Sequence, residues 1–127
     1  MAQLKPIVWS GAVRQAALAA DSLELPGGQV VKRTTVASGS YTCAVGDYLI
    51  AVTGTTGATI TLPDNAPAGT VYVVNDEGGN ALVSNITVQR QTSDTIDGAT
   101  SKAINANYGA LWFYSDGSNW FTLSTSL

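Results

Sequence analysis

The 127-residue sequence contains no histidine, one cysteine and one methionine. Without histidine there is no Ser-His-Asp or Cys-His catalysis and no imidazole ligand for a metal. Cys43 alone supplies neither a thiolate zinc site nor an intrachain disulfide, so nothing favours an oxidising compartment. Charge is scarce too. Charged residues are 12% of the chain, against about 25% in a typical soluble domain. Six Lys plus Arg against nine Asp plus Glu leave a net charge of −3. An isoelectric point near 4.5 excludes the clustered cations that nucleic-acid binding needs. No run approaches the ~18 consecutive apolar residues of a membrane span. The residues after Met1 lack the apolar core and small-residue cleavage site of a signal peptide, so none is expected.

Thr, Ser, Gly, Ala and Asn take the place of the missing charge. Hydrophobic residues are 45% of the total and the mean hydropathy is +0.14. That combination leaves apolar surface to be covered by neighbours in an assembly. The length is that of one domain with a self-sufficient core.

The composition changes near Pro26-Gly27-Gly28. Residues 1–33 read as an arm and residues 34–127 as a globular body. The arm pairs Leu4-Lys5-Pro6-Ile7-Val8-Trp9 with an Ala-rich stretch from Gly11 to Ala20. A nine-residue helix there, capped by Ser10, is marginal without packing, and extended or irregular chain is expected instead. The body reads as strands. In Ala58-Thr59-Ile60-Thr61-Leu62 every second residue is apolar, the period of a half-buried strand. Tyr48 to Val52 is apolar throughout and suits a strand covered on both faces. Val71 to Val74, Ile86 to Val88, Ala110 to Tyr114 and Trp120 to Leu123 complete the set, the last two joined by a hairpin at Asp116-Gly117. Turn signals about every ten residues imply an all-β fold, an antiparallel β-sandwich or jelly-roll-like body. Ile60, Leu62, Val71, Val73, Ile86, Val88 and Phe113 are the expected core.

Few residues invite chemistry. Asp94 and Asp97 flank a turn, but two carboxylates fall short of a calcium loop, and a glycosidase pair needs a cleft. Turn capping explains them more simply. Asp76-Glu77-Gly78-Gly79-Asn80 and Asp116 to Asn119 are expected on exposed turns. No catalytic residue, metal ligand or cofactor is expected. Trp9, Trp112 and Trp120 suit core or interface packing, with a sugar platform as the other use of flat aromatic faces. Arg14, Lys32 and Arg33 suit the rim of a contact with an acidic partner.

Several segments from Tyr41 to Trp120 carry a family likeness. They include Gly46-Asp47-Tyr48-Leu49-Ile50, Ala58 to Pro63, Ala68 to Asp76, Asn85 to Val88, Asp94 to Ala99 and Tyr114 to Trp120. In order and spacing they resemble a β-rich module of tailed-bacteriophage virion proteins, especially tail fibres and other surface appendages. In the arm, Gln15, Leu18, Asp21 and Leu23 are similar to sequence linking such modules, with Ala20 where glycine is common. The resemblance implies a homotrimer at the virion surface, assembled in the host cytoplasm. One module and one arm are short for a fibre. The expected role is therefore an accessory capsid decoration or cement protein, contacting major capsid or tail proteins. A tail-tip or short-fibre protein binding a host-surface receptor or glycan is the alternative, and a polysaccharide depolymerase stands third. Leu4, Ile7, Val8, Trp9 and Trp112 are the expected virion or oligomer contacts.

Overall fold

The computed structural model describes residues 27–124. Among them are nine strands and no helix, as the all-β reading predicts. One sheet contains β1 (Arg33–Val36), β3 (Leu49–Val52), β5 (Val71–Asp76), β8 (Ala110–Ser115) and β9 (Trp120–Ser124), in that order. The other contains β2 (Gly39–Thr42), β4 (Ala58–Leu62), β6 (Ile86–Arg90) and β7 (Ser101–Ile104), in that order.

The pairing is mixed, which corrects the antiparallel, jelly-roll-like pairing expected from the sequence. Strands β1, β3 and β5 run parallel, with Arg33 opposite Leu49 and Leu49 opposite Val73. Strands β2, β4 and β6 also run parallel, with Gly39 opposite Ala58 and Ala58 opposite Ile86. From β1 to β6 the chain changes sheet after every strand and so winds through three coils. Only then does it reverse: β7 on β6, β8 on β5 and β9 on β8 are antiparallel. Turn residues produced the misreading. A corner that carries the chain to the facing sheet uses the same Gly, Thr and Asn as a hairpin.

The coils stack tightly at their corners. A Cβ on Gly54 would collide with the Ala37 carbonyl, and one on Gly78 with the Gly54 carbonyl. Ala37, Gly54 and Gly78 each follow a strand of the first sheet, so three successive corners rest backbone on backbone.

Both sheets feed one buried cluster. Ile60, Leu62, Val88 and Phe113 are fully buried in it, and Ile86 nearly so, as expected. Trp120 is fully buried as well, with its ring 5.6 Å from that of Tyr72 and its Nε1 donating to the Pro63 carbonyl at 3.2 Å. One expected core residue is only half-buried and another is buried on the other face. On β5 it is Tyr72 and Val74 that join the cluster; Val73 is buried as expected, at 5% exposure, but on the opposite face of the sheet, where Val71 is half-buried. Four apolar residues in a row gave no parity to choose by.

Candidate functional site

The outer face of the first sheet is unusually apolar. Inward-facing Ile50, Val52, Tyr72, Val74, Leu111 and Phe113 leave Leu49, Ala51, Val71, Val73, Ala110, Trp112 and Tyr114 on the other side. Register sets Leu49, Val73 and Trp112 side by side across three strands. Tyr114 stands opposite Phe121, with ring centroids 5.7 Å apart. Trp112 remains 41% exposed and Leu123, beside a bulge, 62% exposed. Arg33 at the margin is neutralised by Glu77, to which its Nε donates at 2.9 Å. The second sheet differs. Its outer rows, Ser40, Thr59, Thr87 and Thr42, Thr61, Gln89, are polar.

Trp112 thus lies 41% exposed on this apolar face. Leu4, Ile7, Val8 and Trp9, named with it, lie outside the described residues.

The two ends of the stack are built around buried carboxylates. At the end where β1, β3 and β5 begin, Asp47 closes the turn Ala44-Val45-Gly46-Asp47. It accepts hydrogen bonds from the Tyr41 hydroxyl (2.6 Å), the Thr34 hydroxyl (2.8 Å) and the Ala44 N–H (2.9 Å), and Lys32 Nζ lies 3.3 Å away. Burial alone would push the Asp47 carboxyl up. Those donors outweigh it and hold the carboxyl at about 2. The same contact drives Tyr41 up to about 12, and burial drives the Cys43 thiol up to about 12. Beside this turn is a cavity of about 630 Å³ with a largely apolar lining that includes Val45, Pro63, Ala66, Pro67 and Tyr72. Asp47, at its edge, is already saturated by donors.

At the other end, Asp76 terminates β5. The sequence places Asp76 on an exposed turn; the structure buries it, at 1% exposure. It is buried because it organises two loops. Its Oδ1 accepts the Gly79 N–H, and its Oδ2 accepts those of Ala81 and Tyr108, all at 3.0–3.1 Å. The remaining residues of that turn, Glu77 to Asn80, are half-buried. The Asp116 to Asn119 turn behaves as expected, with Asp116 exposed and accepting from Ser118 and Asn119.

Tyr108 escaped the sequence reading. It occupies the third position of the turn Ala106–Gly109, closed by the Gly109 N–H on the Ala106 carbonyl at 2.9 Å. Its φ is +61°, a conformation that turns normally give to glycine or asparagine, and its side chain is 71% exposed. Asn105-Ala106-Asn107-Tyr108-Gly109 is itself a turn signal, and was the available clue.

Asp94 and Asp97 hold the fold together rather than face a common cleft. Asp94 Oδ2 accepts the Asn65 N–H at 3.0 Å. Asp97 accepts the N–H and hydroxyl of Thr122 and lies 3.2 Å from Lys102 Nζ. Burial opposes ionisation of Asp97, but these donors prevail and lower its pKa. Each carboxylate ties together segments far apart in sequence, where local turn capping was expected. No group of three His, Cys, Asp or Glu suited to a metal ion occurs among the described residues. Compared with known proteins, the chain matches no family model and no curated protein.

Proposed function

We propose that the chain is a small structural protein of a tailed-bacteriophage virion, an accessory capsid decoration or cement protein. The apolar outer face of the first sheet is the observation that carries the assembly part of this reading. Trp112 and Leu123 stand exposed on it among Leu49, Val71, Tyr114 and Phe121, with no unpaired charge on those rows. A face of this kind is a liability on a free monomer and suits contact with further copies. In this reading the body self-associates through that face as a homotrimer, and residues 1–33 attach it to the particle. The likeness of Tyr41 to Trp120 to fibre-type modules supplies the virion context. The buried carboxylates support a structural over a catalytic role, because protein donors already occupy them.

Quantitative mass spectrometry of purified virions tests the proposal. Hundreds of copies per particle are expected. A few dozen or fewer would move the protein to the tail, as a tip or short-fibre component, and its absence from purified particles would contradict the reading.

A further inference from the structure

Folding alone gives no reason for tyrosine at position 108. A bulky residue in the left-handed region is strained, and a largely exposed ring returns little packing in exchange. Strain of this kind collects where a side chain is held for a ligand.

The Tyr108 ring is held. Asp76 fixes its N–H, and the phenol end of the ring lies so close over Gly79 that any side chain there would displace it. Leu82 and Val83, 67% and 78% exposed, lie on the loop that the Leu82 N–H ties to Asn107 Oδ1 at 2.9 Å, one residue before Tyr108. Asn105 and Asn107 are exposed on the same loop. Residues 78–85 and 104–109 contain no Asp, Glu, Lys or Arg. The result is an open aromatic ring rimmed by amides, whose nearby charges are the buried Asp76, held by backbone N–H groups, and Glu77, paired with Arg33.

We propose that this end of the stack binds a neutral saccharide. The exposed side of the Tyr108 ring stacks on the C–H face of a pyranose, Leu82 and Val83 extend the apolar contact, and the Asn105 amide and the Asn107 NH₂ group bond sugar hydroxyls. An apolar protein surface would leave those groups unpaired, whereas hydroxyls accept from the Asn105 and Asn107 NH₂ groups and donate to Asn105 Oδ1, Asn107 Oδ1 being held by the Leu82 N–H. A uronate or other acidic sugar would find no cation on these loops. The inference rests on the loop end alone and holds for either location on the virion.

The test is a nuclear magnetic resonance titration of the ¹⁵N-labelled full chain. The probes are cellohexaose, maltohexaose, mannohexaose and galactohexaose, with a uronate-bearing hyaluronan hexasaccharide as the charged control. At least one neutral hexaose should shift the Gly79, Leu82 and Tyr108 amides, with a dissociation constant of about 1 mM or tighter, and the uronate should bind more weakly. Tyr108→Asn should weaken binding at least tenfold and leave the thermal midpoint unchanged or raised, since asparagine tolerates this backbone. Tyr108→Phe should retain binding. The proposal is overturned by any of four outcomes: no shift at these amides with any neutral hexaose, undiminished binding by Tyr108→Asn, a lowered midpoint in that variant, or tighter binding of the uronate. Because the assay uses no virion, its failure and the failure of the decoration reading are distinguishable.

Discussion

Asp76 shows how one side chain can shape a whole loop end. It binds three backbone N–H groups from two loops, and two of them share Oδ2. Asp76→Ala would leave all three donors without their acceptor, and a loss of about 3 kcal/mol or more is expected in urea unfolding. Asp76→Asn keeps one carbonyl oxygen for the shared pair but turns an amide toward a donor, so its stability should fall between parent and alanine variant. Equal stabilities for all three proteins would remove Asp76 from this role.

Asp47 makes the fold sensitive to acid. Its folded pKa of about 2 lies below the ordinary carboxylate value of about 3.9. The stability it contributes is therefore fully present above about pH 4 and is lost as pH falls toward 2. Asp47→Asn should flatten that part of a stability–pH profile; an unchanged acid limb would contradict the assignment. Tyr41 and Cys43 have the opposite sign. Their folded pKa values near 12 lie above their ordinary values, so the stability they add is lost as pH rises through about 9 to 12. Cys43 is 4% exposed as well as poorly ionised. An aromatic disulfide reagent at pH 8 should label it only as fast as the body opens, and rapid stoichiometric labelling of the native protein would show that the thiol is accessible.

At the scale of elements, the corners set the winding. Gly54 sits where the second coil crosses against Ala37 of the first, and Gly78 of the third rests on Gly54. Gly54→Ala inserts a methyl between two backbones that have no room to part without disturbing both sheets. It should cost about 3 kcal/mol, measured by thermal or urea unfolding, the upper range for overpacking. A neutral effect would mean that the coils separate easily at this corner.

Period-2 alternation made several strands legible before the structure. Ala58, Ile60 and Leu62 face inward as their spacing requires, and Ile86 and Val88 follow. The Asp116-Gly117 hairpin was equally plain. Three strands of four residues each were missed: β1 and β2 are rich in Ser, Thr or Gly with too few apolar residues for a period to register, and in β7 the apolar Ala103 and Ile104 are adjacent rather than alternating. The parallel winding was hidden for another reason. Register between coils is fixed by backbone contact at corners, and a turn sequence does not state which sheet the chain enters next. The outward place of Trp112 was legible because bulky neighbours on both sides of β8 demand two covered faces. Tyr108 was not, since its significance lies in a backbone angle.

For the molecule as a whole, two contrasting sheets define what it can do. The second presents Thr-rich rows to its surroundings; the first sets Leu49, Val73 and the exposed Trp112 in one row and Tyr114 with Phe121 in another. Low overall charge leaves little electrostatic repulsion to keep copies apart. Tryptophan near the centre of such a face is the residue type on which binding energy concentrates, and its truncation commonly costs about 2 kcal/mol or more at an interface. Under the proposed decoration role, contacts made by the arms of a trimer would add through effective concentration, and loss of the trimer would weaken attachment to the particle.

Sedimentation equilibrium of the full chain and of its Trp112→Glu, Leu123→Glu double variant tests the assembly claim most directly. Both positions are exposed, so the variant should stay folded, which circular dichroism checks. The account predicts a concentration-dependent or stable trimer, a multiple of the 13.1 kDa chain, that collapses to monomer in the variant. A parent protein that sediments as a monomer at every attainable concentration, or an oligomer that survives both substitutions, would contradict it.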